Sequence, residues 1–107
     1  MSNYFRNKKI LHNGKWYEIF WVTDYVHHLI LKFGDGVHLN NILEVEQLAK
    51  NAAYIPWKSS YIGLVKYKTR FYQLIVYFNT VPKRCIIKTA YLVKDPEIIQ
   101  ICKALKL

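Results

Sequence analysis

The chain has 107 residues, a formal net charge of +9, and a composition that is 52% hydrophobic and 16% aromatic. That length carries one hydrophobic core and not two, so a single domain spanning residues 1–107 is expected, and the apolar and aromatic content excludes a disordered tail or linker. No segment approaches the roughly 20 apolar residues of a membrane-spanning helix, and the opening MSNYFRNKKIL has neither the apolar run nor the small-residue cleavage site of a signal peptide, so the expected address is the cytoplasm, with no membrane partner.

In chain order, Asn13-Gly14 stands between two apolar runs and predicts a two-residue hairpin turn. The second arm, Lys15 to Thr23, is continuously aromatic and β-branched with little alternation, the pattern of a strand covered on both faces. Thr23 and Asp24 are helix-capping residue types, and Tyr25 to Phe33 carries apolar residues at helical spacing until Gly34-Asp35-Gly36 stops it. A second helix is predicted from about His38 to Ala53, with Leu39, Ile42, Leu43, Val45, Leu48 and Ala49 mostly on one side. Ile55 to Ser60 reads as a loop fixed by Pro56, with Trp57 either closing the core or stacking on a base.

Tyr61 to Lys94 reads as three antiparallel strands in a meander, joined by Lys68-Thr69-Arg70 and by a turn within Asn79 to Lys83. Alternation places Tyr72, Leu74, Val76 and Phe78 on one face of the middle strand, and Cys85, Ile87, Thr89 and Tyr91 on one face of the last. Asp95-Pro96 then opens a short final helix, the aspartate as cap and the proline in the first turn. The expected architecture is α+β. An antiparallel sheet of about four or five strands carries two N-terminal helices and a short C-terminal helix on one face, with a basic, tyrosine-rich cleft on the other.

The positive charge is unevenly placed. Residues 1–17 hold Arg6, Lys8, Lys9 and Lys15 with no acid, and residues 59–94 hold Lys66, Lys68, Arg70, Lys83, Arg84, Lys88 and Lys94 with none, whereas residues 18–53 are acidic. Acid-free basic strands interleaved with tyrosines point to a polyanion, above all nucleic acid. Cys85 and Cys102 lie among apolar neighbours as buried thiols of a reducing compartment would. There is no CxxC or HExxH, no Walker-type loop, and the adjacent His27 and His28 point about 100° apart on a helix, so neither a metal site nor nucleotide hydrolysis is expected, and no cofactor. Metal-free RNA cleavage needs only a base, an acid and cations, and His12, His27, His28 and His38 with the strand lysines, arginines and tyrosines supply those residue types.

A helical first part containing histidine, then a meander ending in Ile86-Ile-Lys-Thr-Ala-Tyr91, resembles the barnase/RelE-type superfamily of small ribonuclease toxins over about residues 15–94. The resemblance implies an antiparallel sheet packed against N-terminal helices, and an RNA-binding, metal-independent endoribonuclease of a toxin–antitoxin or phage-related system, acting through 2′-hydroxyl attack to leave a 2′,3′-cyclic phosphate. Its partners would be RNA and a cognate antitoxin or inhibitor protein. By position, His27 or His28 would be the base or acid, Arg70 with Lys66 would hold the phosphate, Thr89 and Tyr91 would position it, and Lys68, Lys83, Arg84 and Lys88 would contact RNA. Many members place further histidines or arginines near that helix; here Asp24, Tyr25 and Leu29 stand there, which leaves the base open. The alternatives are a non-enzymatic adaptor that binds nucleic acid or an acidic protein through the same cations, and an interaction protein exposing Trp16, Phe20 and Trp21.

Overall fold

Asn13 and Gly14 both take positive φ, 52° and 76°, the backbone that a two-residue turn demands and that these residue types adopt at least cost. They join β1 (Lys9–His12) to β2 (Lys15–Phe20) in the expected hairpin, with Ile10 opposite Tyr17 and Leu11 opposite Trp16. The computed structural model describes residues 8–36, 39 and 41–107; Arg6 and His38 lie outside them. β2 is not covered on both faces as its composition suggests. Tyr17 and Ile19 are buried, while Glu18 is exposed and Trp16 is 59% exposed.

Helix α1 (Thr23–Ile30) has its cap position at Val22, with Thr23 and Asp24 inside the first turn. Helix α2 (Ile42–Asn51) starts later than its apolar spacing suggests because Asn41 caps it, its side chain accepting from the Glu44 N–H at 2.9 Å. The segment expected as a loop around Pro56 is instead β3 (Ala53–Trp57), paired antiparallel with β4 (Ser60–Tyr67). Proline is accepted there because β3 is an edge strand, where a missing N–H need not break a ladder. β5 (Arg70–Thr80) and β6 (Lys83–Leu92) complete the meander, and α3 (Pro96–Ala104) begins as expected, the Asp95 side chain accepting from the Glu97 N–H.

The sheet has six strands in the order β1-β2-β6-β5-β4-β3. It is mixed rather than purely antiparallel, because β2 runs parallel to β6 over Glu18↔Arg84 to Phe20↔Ile86. A flat sheet of that width would hold its two edge strands about 24 Å apart. Yet the His12 ring on β1 stacks on Phe78 of β5 at 4.0 Å and lies 6.0 Å from the Tyr54 ring on β3, so the sheet curls until its edges share one aromatic cluster. Burial lowers the pKa of His12 from its ordinary 6.5. The unfolded chain therefore takes up the proton first, so stability falls as pH drops below about 6.5 and levels off once the lowered folded value is passed. Urea unfolding at pH 7.5 and pH 5 should show this loss, and His12→Phe should shrink it.

Helices cover both faces, not one. On the inner, concave face, Val45, Leu48 and Ala49 of α2 pack with Leu74, Val76, Cys85 and Ile87; on the outer face, Ile98 and Cys102 of α3 pack with Ile62 and Leu64. Across the inner face, buried Glu46 accepts a hydrogen bond from Trp21 Nε1 at 2.8 Å and pairs with Lys8 Nζ at 3.2 Å, tying α2 to the start of β1 and the end of β2. The Tyr54 ring lies flat across Gly63, so that a Cβ at Gly63 would meet a ring carbon at 2.5 Å, and the Tyr54 hydroxyl donates to the Ala49 carbonyl. Because that ring is held at both ends, Gly63→Ala should cost about 2 kcal/mol of unfolding free energy, read from the urea midpoint.

Candidate functional site

The register between β5 and β6 slips in the middle of the strands. Ile75 faces Thr89 and Val76 faces Ile87, which leaves Lys88 as an extra residue in a bulge. Strict alternation would put Thr89 and Tyr91 on the face of Cys85 and Ile87. The bulge moves them to the outer face, opposite Ile75 and Gln73, while Ala90 takes the inner position opposite Leu74. Lys88, Thr89 and Tyr91 thus gather on one side of β6 instead of dividing between two.

β2 pairs with only three residues of β6, and α1 packs against β6 as well. Leu29 of α1 enters the inner core, while Tyr25 and His28, three residues apart on one helical face, and Lys32 in the turn that follows the helix meet Lys88, Thr89 and Tyr91. Together these residues line an open cleft of about 540 Å³, and none of them is acidic. A second hollow of about 360 Å³ adjoins it at Tyr91 and runs toward Trp57, Lys94, Asp95 and Ile98. Between the two, the buried Gln73 amide donates to the Tyr91 hydroxyl oxygen at 2.8 Å and fixes the phenol. Lys88 Nζ reaches toward Ser60 Oγ at 3.5 Å and lies 6.0 Å from the Tyr77 ring.

Of the residues singled out in the sequence, His28, Lys88, Thr89 and Tyr91 therefore share one cleft. His27 is exposed on α1 and does not line it. Lys66, Lys68 and Arg70 cluster at the tip of the β4–β5 hairpin, where Lys68 takes a φ of 60° and holds its ammonium 5.2 Å from the Tyr67 ring. Arg70 pairs with Tyr67 on the inner-face parity, whereas Tyr91 faces Gln73 on the outer one, so the arginine is about 10 Å along the strand and on the opposite side. Lys83 and Arg84 stand at the other end of β6, beside the turn that holds the cis Val81–Pro82 bond, and the Arg84 guanidinium lies 4.3 Å from the Phe20 ring. Tyr25, Lys32, Gln73 and Lys94 are not among the site residues expected from the sequence. Gln73 is the one amide side chain in the run Phe71 to Phe78, and Tyr25, His28 and Lys32 follow one another at spacings of three and four residues; both are signals the sequence does contain.

Both cysteines are free and buried, and burial pushes the Cys85 thiol up to about 12 and raises that of Cys102, which keeps them protonated near neutral pH. Among the described residues no group of three or more histidine, cysteine or carboxylate side chains could hold a metal ion, and no helix is long and apolar enough to cross a membrane. No family model, curated protein or solved structure matches the chain. The chemistry of the cleft is then what its own side chains permit: two ammonium groups to hold an anion, an imidazole to move a proton, and the three hydroxyls of Tyr25, Thr89 and Tyr91 to place a substrate between them.

Proposed function

We propose that the chain binds RNA in the cleft between α1 and β6 and cleaves it without a metal ion, as a ribonuclease of the toxin type. The observation that carries this reading is that His28, Lys32, Lys88, Thr89 and Tyr91 line one cleft free of carboxylates, although they come from distant parts of the sequence. His28 takes the proton of the 2′-hydroxyl, the freed oxygen attacks the adjacent phosphorus, the bond to the 5′-oxygen breaks, and that oxygen takes a proton from a donor beside it, for which the Tyr91 hydroxyl, held by Gln73, is the candidate. Lys32 and Lys88 stabilise the charge on the phosphate, the role the resemblance gives to Arg70 and Lys66.

One observation favours the adaptor instead: among the described residues His28 is the single histidine lining the cleft, where making acid and base alike takes two imidazoles. The two readings part on one experiment. Purified protein incubated with mixed cellular RNA in the presence of a chelator should yield fragments ending in 2′,3′-cyclic phosphate; RNA that is bound but stays intact would leave the adaptor.

A further inference from the structure

We infer that the outer face of the sheet beside the cleft is a stacking platform for unpaired bases, which makes single-stranded RNA the substrate class; this rests on the reading of the cleft as an RNA site. Phe20, Ile86 and Tyr77 lie side by side in a row across β2, β6 and β5, set by the pairings Phe20↔Ile86 and Tyr77↔Ile86. Two strand spacings, about 10 Å, separate the two aromatic residues. Each has a cation on it: the Arg84 guanidinium lies 4.3 Å from the Phe20 ring centre and Lys88 Nζ lies 6.0 Å from that of Tyr77.

Large apolar side chains remain open to water on this face, Tyr77 at 43% and Trp16 at 59% exposure. The charge of the face fits a polyanion and not a basic partner, because β2, β5 and β6 contribute one carboxylate, Glu18, against Arg84 and Lys88. Rings flanked by cations offer a base a π-face and its phosphate a counter-charge at once, and a base also stacks on an arginine plane. The platform is continuous with the cleft. A hollow of about 280 Å³ lined by Val22, Tyr25, Tyr77, Ile86 and Lys88 shares Tyr25 and Lys88 with it, so a strand stacked on Tyr77 passes Lys88 to reach His28. A duplex, whose bases are already stacked and paired, has nothing to offer the rings.

The test is binding of a labelled oligouridine of about ten nucleotides and of an RNA hairpin with the same number of phosphates, to the wild-type chain, Tyr77→Ala and Tyr77→Phe, across a salt series. Wild type should prefer the single strand. Tyr77→Ala should lose roughly tenfold in affinity with an unchanged salt slope, since it removes a ring and no charge, and Tyr77→Phe should restore the affinity. Oligouridine binding that is equal in wild type and Tyr77→Ala, or that polyglutamate of the same charge displaces as well as RNA does, would overturn the platform and leave the cleft standing. Absence of RNA binding by the wild type at low salt would overturn the reading of the cleft itself.

Discussion

Glu46→Ala is expected to lower the unfolding free energy by about 3–5 kcal/mol, the range for removing one partner of a buried ion pair. The Glu46 carboxylate is 4% exposed and serves two donors from different elements, Trp21 Nε1 at 2.8 Å and Lys8 Nζ at 3.2 Å. Truncation takes from a largely buried ammonium and from an indole N–H the carboxylate they share. It also frees α2 from the β1–β2 hairpin whose far end carries His12 into the aromatic cluster. Glu46→Gln keeps an acceptor for the indole and should cost less, about 1–2 kcal/mol. Urea unfolding at pH 7 reads both; if Glu46→Ala is as stable as wild type, the pair contributes no more than the solvation its charges lose.

His28→Ala is expected to lower cleavage by about a hundred- to ten-thousand-fold, the contribution of a general acid or base, while leaving stability within about 0.5 kcal/mol of wild type. The stability half follows from position: His28 is exposed on α1, where it lines the cleft without entering the core. His27 is equally exposed but turned out of the cleft, so His27→Ala should leave both properties near wild type. Initial rates on a short RNA, compared with melting curves of the same preparations, separate the two histidines. Equal losses of activity in both variants would move the proton transfer out of the cleft.

What the sequence announces and what it conceals divide along physical lines. Signals confined to a few residues are legible. Asn13-Gly14 takes the left-handed backbone of its turn, Asp95-Pro96 opens α3 as cap and first-turn proline, and Tyr72, Leu74, Val76 and Phe78 face one way. Features fixed by distant partners are not legible. The parallel pairing of β2 with β6 joins segments more than sixty residues apart, and Pro56 looks like a loop-maker until β3 is known to be an edge. The bulge at Lys88 is the decisive case, since no residue type marks it, yet it turns Thr89 and Tyr91 onto the face where α1 brings His28. The continuous apolar run of β2 reads as two-sided burial, because a sequence cannot tell a covered aromatic from one left in water. Trp16 is the latter.

The most direct test of the account is the salt dependence of RNA binding in two triple variants. Each phosphate contact on a single strand contributes about 0.7 to the slope of log affinity against log salt. Lys32→Ala/Lys88→Ala/Lys94→Ala, which strips the cleft and the adjoining hollow, should flatten the wild-type slope by about 2, whereas Lys66→Ala/Lys68→Ala/Arg70→Ala, at the hairpin tip, should change it by less than about 1. An unchanged slope in the cleft variant, or a larger loss in the hairpin-tip variant, would contradict the cleft as the site of the polyanion.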